Sequence, residues 1–211
     1  MKLLIATGNA HKLGEIRAIL RAPHLELVGM KEIGPLPGVE EDGDTFEANA
    51  IKKAVSLARN AGFWTLADDS GLEVDALHGE PGVRSARYAV EPSNDGANNR
   101  KLLAALEHVD DRRARFRCVI ALSDPLGHAR TVDGSCEGTL LREIRGVGGF
   151  GYDPLFVPDG NALTFAELDA HTKNLISHRA QALAKAVREW SAFLATEPVA
   201  WPASGRDPFR G

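Results

Sequence analysis

The spacing of apolar residues changes period along this chain, and that change constrains the fold more than any other feature. Leu3-Leu4-Ile5-Ala6-Thr7 is a short apolar strand that stops at Gly8-Asn9, and Leu13, Ile16, Ala18, Ile19 and Leu20 then recur at helical spacing. Glu26-Leu27-Val28-Gly29 reads as a second short strand, and the Gly/Pro-rich acidic stretch from Ile33 to Asp44 reads as loop. Thr45 offers an N-cap to a helix with Phe46, Ala50, Ala54, Leu57 and Ala58 on one face. Trp64-Thr65-Leu66-Ala67 is again a strand and runs into Asp68-Asp69-Ser70-Gly71. Leu72, Val74 and Ala76 then alternate with Glu73 and Asp75 as far as a turn at Gly79-Glu80-Pro81-Gly82.

Helical spacing returns from Asn98 to Leu106, and the period falls to two from Arg113 to Ser123. There Ala114, Phe116, Cys118 and Ile120 share one strand face, with Arg113, Arg115 and Arg117 opposite, a row better explained by a solvated or subunit-facing strand surface than by phosphate binding. Arg130 to Glu137 is the expected partner strand, Gly146 to Gly151 a loop, and Leu155-Phe156-Val157 a strand stopped by Pro158. Ser177 opens the last helix, which is predicted to turn Ala180, Leu183, Ala184, Val187 and Trp190 to the core. The pattern predicts an α/β fold: a mixed, elongated central sheet flanked by helices, in two lobes with the active-site cleft between them. One domain over residues 1–196 is expected, with Pro198, Pro202 and Pro208 making 197–211 an irregular or disordered tail.

Charge and composition remove several classes of partner. A net charge of −4 and a pI near 6.0 lack the basic field that nucleic acid or an anionic membrane rewards, so any anion must be met by local cations. No stretch reaches the ~20 apolar residues of a membrane span, and the apolar run at Leu3 is too short for a signal peptide core, so a cytoplasmic protein is expected. Cys118 and Cys136 form no CxxC pair and are expected to be packed, reduced thiols.

Four segments carry candidate chemistry, and an acidic loop accompanies the second of them. Thr7-Gly8-Asn9-Ala10-His11-Lys12 stands at a strand-to-helix turn, where amides, a positive helix end and a lysine can hold polyphosphate; it is not a Walker A sequence, and taken alone it is better explained as a structural turn. Asp68 and Asp69, at the expected end of an apolar strand, suit Mg²⁺ binding and water orientation, or else a capped Asp-Ser-Gly turn. Glu40-Glu41-Asp42 supplies a further metal ligand if the fold brings it near, and is otherwise a solvated acidic loop. Gly148 to Pro154 sets Phe150 and Tyr152 among glycines, a stacking platform that a base can approach. Lys173 to Arg179 gathers donors at a helix start, either to read a polar heterocycle or as a basic first turn.

Together the segments make an inventory for a purine nucleoside triphosphate. Through ATGNAHKLGE, TFEANAIKKA, LADDSGLEVDAL, PGVRSARYA, GGFGYDPLFVP and ISHRAQAL, from Leu4 to about Leu183, the sequence resembles the inosine/xanthosine triphosphate pyrophosphatases. The resemblance implies hydrolysis of ITP, dITP and XTP to monophosphate and pyrophosphate, with at least one Mg²⁺ per subunit and a homodimer. It implies that Thr7, Gly8, Asn9, Ala10, His11 and Lys12 hold the triphosphate with Lys53. Asp69 is then the catalytic carboxylate and a metal ligand, with Glu40 preferred over Glu41 as the second, and Ser70 contacts substrate. Phe150, Gly151, Tyr152, Asp153, Lys173, His178 and Arg179 surround base and sugar, with His178 and Arg179 as donors to a 6-oxo group. The family's glutamate before the asparagine of TFxENA is Ala48 here, with Glu47 one place earlier and about 100° around the helix. The competing expectations are a broader nucleotide pyrophosphatase and a nucleotide-binding sensor without turnover.

Overall fold

The computed structural model describes residues 1–21 and 24–194; the expected tail at 197–211 lies outside the described residues. The chain opens as strand β1 (Lys2–Ile5), helix α1 (Ala10–Ile19), strand β2 (Glu26–Gly29), the single turn α2 (Met30–Ile33), helix α3 (Phe46–Ala61) and strand β3 (Trp64–Val74). After 3₁₀ turns at Asp75–Leu77 and Gly82–Arg87 come helix α4 (Asp95–Ala105) and strands β4 (Arg113–Ser123), β5 (Ala129–Leu140) and β6 (Phe156–Pro158). Helices α5 (Ala170–Ile176) and α6 (His178–Glu189) and the turn α7 (Ser191–Leu194) close the described chain. The strands form one mixed sheet in the order β2-β1-β3-β4-β5-β6, with β1 parallel to β2 and β3 and the later pairs antiparallel. The α/β architecture follows the alternation read from the sequence.

The two faces of the sheet are covered by different helices. On one, Leu3, Ile5, Leu66, Cys118 and Ile120 pack with Ile16 of α1 and Leu183 and Ala186 of α6. On the other, Leu4, Ala67, Val119 and Ala121 pack with Phe46, Ala50, Ala54 and Leu57 of α3, the face expected for that helix. A third cluster built on Leu72, Phe116, Phe156 and Phe165 fills the far end of the long strands. Helix α6 sits hard on the sheet at Gly134, where a Cβ would lie 2.4 Å from the Ala182 nitrogen and 2.5 Å from the His178 carbonyl oxygen. Glycine there lets the start of α6 press down towards β4 and β5.

Three expectations are corrected. Strand β3 does not stop at Ala67: Asp68, Asp69 and Ser70 pair with Ile120, Val119 and Cys118 of β4, so the acidic pair lies inside a sheet strand rather than in a turn at its end. Local residue chemistry favoured a turn, and the long partner strand overrode it. Ala76 belongs to a 3₁₀ turn, not to the alternating strand. In α6, Ala184 and Val187 face outward, and Ala182 and Ala186 take their place in the core. The arginine row of β4 is a salt-bridged strand surface: Arg113 pairs with Asp111 at 2.7 Å, Arg115 with Asp75 at 2.6 Å and Glu137 at 3.0 Å, and Arg117 with Asp133 at 3.8 Å. Cys118 and Cys136 are buried and free, each pushed up to about 12 by burial.

Candidate active site

Successive strand residues point to opposite faces, and this gives Asp68 and Asp69 different surroundings. Asp68 shares the face of α1 and α6. Its Oδ2 accepts from Arg179 Nη2 at 2.8 Å and lies 3.1 Å from Lys12 Nζ, while its buried Oδ1 has no partner. Burial alone would raise its pKa, but Lys12, Arg179 and Lys53 hold the carboxyl far below the usual range. Asp68 is therefore an ionised counter-charge at neutral pH. Asp69 shares the face of α3, accepting from Asn49 Nδ2 at 3.0 Å and from the Ser70 amide at 2.9 Å. Burial, opposed by Lys12 and Lys53 and reinforced by the Glu41 charge, pushes Asp69 up to about 6. Adjacent in sequence, the two carboxylates do not form one metal-chelating pair.

Asp69 lies on a cavity of about 550 Å³, of a size to hold a nucleotide. One wall carries Thr7, Gly8, Asn9, His11 and Lys12 from the β1–α1 turn, with Lys53 of α3 and Glu41 of the acidic loop. The opposite wall carries Phe150, Gly151, Tyr152 and Asp153, and Ser70, His178 and Arg179 complete it. Ala10 is exposed and does not line it, and neither does Lys173, which stands behind the Phe150 wall. Glu40 is exposed and also off the lining; Glu41 occupies the place expected of it, 2.9 Å from Lys53 Nζ. The amides of His11 and Lys12 are not free as expected, because the Asn9 side chain caps both, at 2.9 and 3.2 Å. The lysines are thus the principal cations of this wall.

The aromatic wall is braced from several directions. Phe150 and His11 stack on one another at the cavity lining with centroids 5.3 Å apart, and Lys173 Nζ lies 4.8 Å from the Phe150 ring centre. Asp153 Oδ2 accepts from the Phe150 amide at 2.9 Å and from Lys173 at 2.6 Å. Tyr152 donates to the Ser85 carbonyl at 2.8 Å. Gly151 is gripped on both sides: its amide donates to Asp95 at 2.7 Å and its carbonyl accepts from Asn99 at 2.9 Å. A buried ionic chain underlies the whole cavity, running from Lys12 through Asp68 and Arg179 to Glu15, Lys173 and Asp153. Within it Arg179 also donates to Ser70 Oγ, so four of its five N–H groups are committed.

His178 stacks on Phe116 at 4.8 Å and is buried with no partner on Nδ1. Burial and the cations Arg179, Lys173 and Lys12 push its pKa well below 6.5, so the ring is neutral, with one donor and one acceptor nitrogen.

Among the described residues no group of three or more His, Cys, Asp or Glu side chains is arranged to hold a metal ion. Asp69 and Glu41 are two carboxylates close enough for one charge to raise the other's pKa, which a shared cation would relieve. That donor set fits Mg²⁺, which keeps several waters and takes one or two carboxylates together with substrate phosphates. Sequence reasoning missed Asn49, Glu15, Asp95 and Asn99. Only Asn49 left a signal, as a polar residue four positions before Lys53 on the otherwise apolar face of α3.

Lysines, an aromatic platform and a carboxylate whose pKa is raised by burial share one cavity in this α/β protein. The chain belongs to the Ham1 family, whose model matches residues 3–189. It is 56% identical to the dITP/XTP pyrophosphatase of Desulforamulus reducens over 89% of this chain and 94% of that one. Among solved structures, a HAM1 protein from Coxiella burnetii superposes with a TM-score of 0.83 at 41% identity, covering 91% of this chain and 99% of that one. The Staphylococcus aureus Ham1 protein superposes at 0.82 and 40%, with the same coverage.

Proposed function

We propose that this chain hydrolyses non-standard purine nucleoside triphosphates, those of inosine, deoxyinosine and xanthosine, to the monophosphate and pyrophosphate with Mg²⁺. The observation that carries the reading is the placement of Asp69, Lys12, Lys53 and Phe150 on a single cavity, in a chain whose relatives are dITP/XTP pyrophosphatases. Phe150 stacks the base once His11 gives way, a contact worth about 1–3 kcal/mol. Lys12 and Lys53 exchange their present carboxylate partners for phosphate oxygens. Asp69 orients a water at the α-phosphorus and accepts its proton; the new P–O bond forms as the bridge to the β-phosphate breaks, and the pyrophosphate leaves with its charge met by the lysines. Mg²⁺, held by Asp69 and Glu41, would supply charge neutralisation on the phosphate oxygens.

Base selection follows from which polar groups remain unsatisfied. The single uncommitted N–H of Arg179 can only donate, so it pairs with a 6-oxo purine and is left unpaired by a 6-amino one, while neutral His178 adds a ring nitrogen beside it. Losing such a bond to buried donors costs roughly 10⁴-fold in kcat/KM. A homodimer belongs to the same reading, supported by the family resemblance. So does a cytoplasmic location; no described helix is long and apolar enough to cross a membrane.

Product analysis tests the reaction. Inosine triphosphate and Mg²⁺ should yield inosine monophosphate and pyrophosphate in equal amounts. Accumulation of inosine diphosphate and orthophosphate would place the attack at the γ-phosphorus and contradict the proposal.

A further inference from the structure

Asn49 is a polar side chain only 1% exposed on the buried face of α3. Its carboxamide has a fixed orientation, because Oδ1 accepts from the Gly43 amide at 2.7 Å and Nδ2 must then be the donor. Nδ2 donates to Asp69 Oδ2 at 3.0 Å and to the Gly43 carbonyl at 3.3 Å. One side chain thus joins the cavity carboxylate on β3 to the acidic loop. Residues 34–43 of that loop have no regular structure, so such contacts decide where Glu41 stands. Neighbouring ties act in the same sense: Arg87 Nη2 donates to the Glu41 carbonyl at 2.7 Å, and Lys52 pairs with Asp42 at 2.5 Å.

We propose that Asn49 is a positioning residue that fixes Asp69 and Glu41 relative to one another, so that both carboxylates face one divalent cation. The inference rests on the metal-dependent reading of the same cavity. The loop side of the link can be altered independently. A Cβ on Gly43 would stand 2.8 Å from Asn49 Oδ1 and 3.0 Å from Ala48 Cβ. Because Ala48 is fixed on α3, Gly43→Ala is expected to displace the loop, and Asn49 is expected to keep Nδ2 on Asp69. Removing a partner that orients a metal ligand typically weakens metal binding by about 10- to 100-fold.

The test is Mn²⁺ binding to wild type, Asn49→Ala and Gly43→Ala without nucleotide, followed by electron paramagnetic resonance, beside inosine triphosphate turnover with Mg²⁺ varied. Both variants should bind Mn²⁺ roughly tenfold or more weakly, and their half-saturating Mg²⁺ should rise to match. With Mg²⁺ saturating, KM should stay within about twofold of wild type, because the Phe150 wall is untouched. Under that condition kcat should recover in Gly43→Ala but remain roughly tenfold down in Asn49→Ala, whose Asp69 has lost its donor. A merely structural role would lower the folded fraction and leave the metal constant unchanged. Folded variants that bind Mn²⁺ as wild type does, or a wild type with no Mn²⁺ site, would overturn the inference. If Asn49→Ala does not fold, Gly43→Ala decides alone. A wild type that binds Mn²⁺ yet turns over no nucleotide sinks the proposed function, while the Mn²⁺ constants still decide the role of Asn49.

Discussion

Asp69→Asn should lower turnover of inosine triphosphate by roughly 10³-fold or more, since it removes both a proton acceptor and a metal ligand, and the acceptor alone is worth about 10²–10⁴-fold. The side chain keeps its size and can still accept from the Ser70 amide. Its new amide, however, meets the Nδ2 of Asn49, whose orientation the Gly43 amide fixes. The mismatch costs stability while loss of a buried charge returns some at neutral pH, so the fold is expected to be kept with little change in melting temperature. The pH profile of the wild type gives a second view of the same group. Because Asp69 is pushed up to about 6 in the metal-free protein, kcat/KM at low Mg²⁺ should fall as the pH is lowered through that value. Proton and cation compete for the carboxylate, so raising Mg²⁺ should move the acid limb to lower pH. A folded Asp69→Asn protein with near-normal turnover would remove Asp69 from the catalytic role.

Arg179→Met should be the most destabilising change in the cavity floor. The guanidinium is fully buried and is the shared cation of Asp68, Glu15 and the Ser70 hydroxyl. Methionine fills a similar volume but leaves Asp68 with Lys12 at 3.1 Å and the more distant charge of Lys53, and breaking a buried pair costs about 3–5 kcal/mol. For a chain of this length that is a fall of roughly 10 °C in melting temperature. The sign with pH follows from Asp68. Its depressed pKa stabilises the folded wild type above the ordinary carboxylate value and ceases to do so as the pH falls. The deficit of the variant should therefore shrink below about pH 4, where Asp68 without its arginine takes up a proton. Adding Asp68→Asn to Arg179→Met should restore part of the loss, because both ends of the pair are then gone. A single variant melting within about 2 °C of wild type would show that the buried chain does not hold the site together.

The sequence disclosed the elements better than their consequences. The apolar pattern located β1 as a continuous run buried on both faces, α1 and α3 by one buried face, and β4 and β5 by their alternation. It failed at Asp68 to Gly71, where residues that favour turns lie in mid-strand; only the pairing with β4, more than forty residues away, explains this. It failed again at the outer positions of α6, where alanine carries too little apolar signal to distinguish Ala184 from Ala182. Within the site, the segments that line the cavity were visible as motifs, but the partners of each side chain were not. Glu41 rather than Glu40 enters the cavity because Arg87 and Lys53 draw it in, and neither contact is local in sequence. Glu15 looks like an ordinary exposed helix residue until α1 is packed beside α5 and α6, where it bridges Lys173 and Arg179.

The most direct test is the rate of pyrophosphate release from inosine, xanthosine, guanosine and adenosine triphosphates, each with Mg²⁺ and with a chelator. Turnover of the first two, abolished by the chelator and exceeding that of adenosine triphosphate by roughly 10⁴-fold in kcat/KM, is the predicted result. Equal rates for inosine and adenosine triphosphates, or release that survives the chelator, would contradict it.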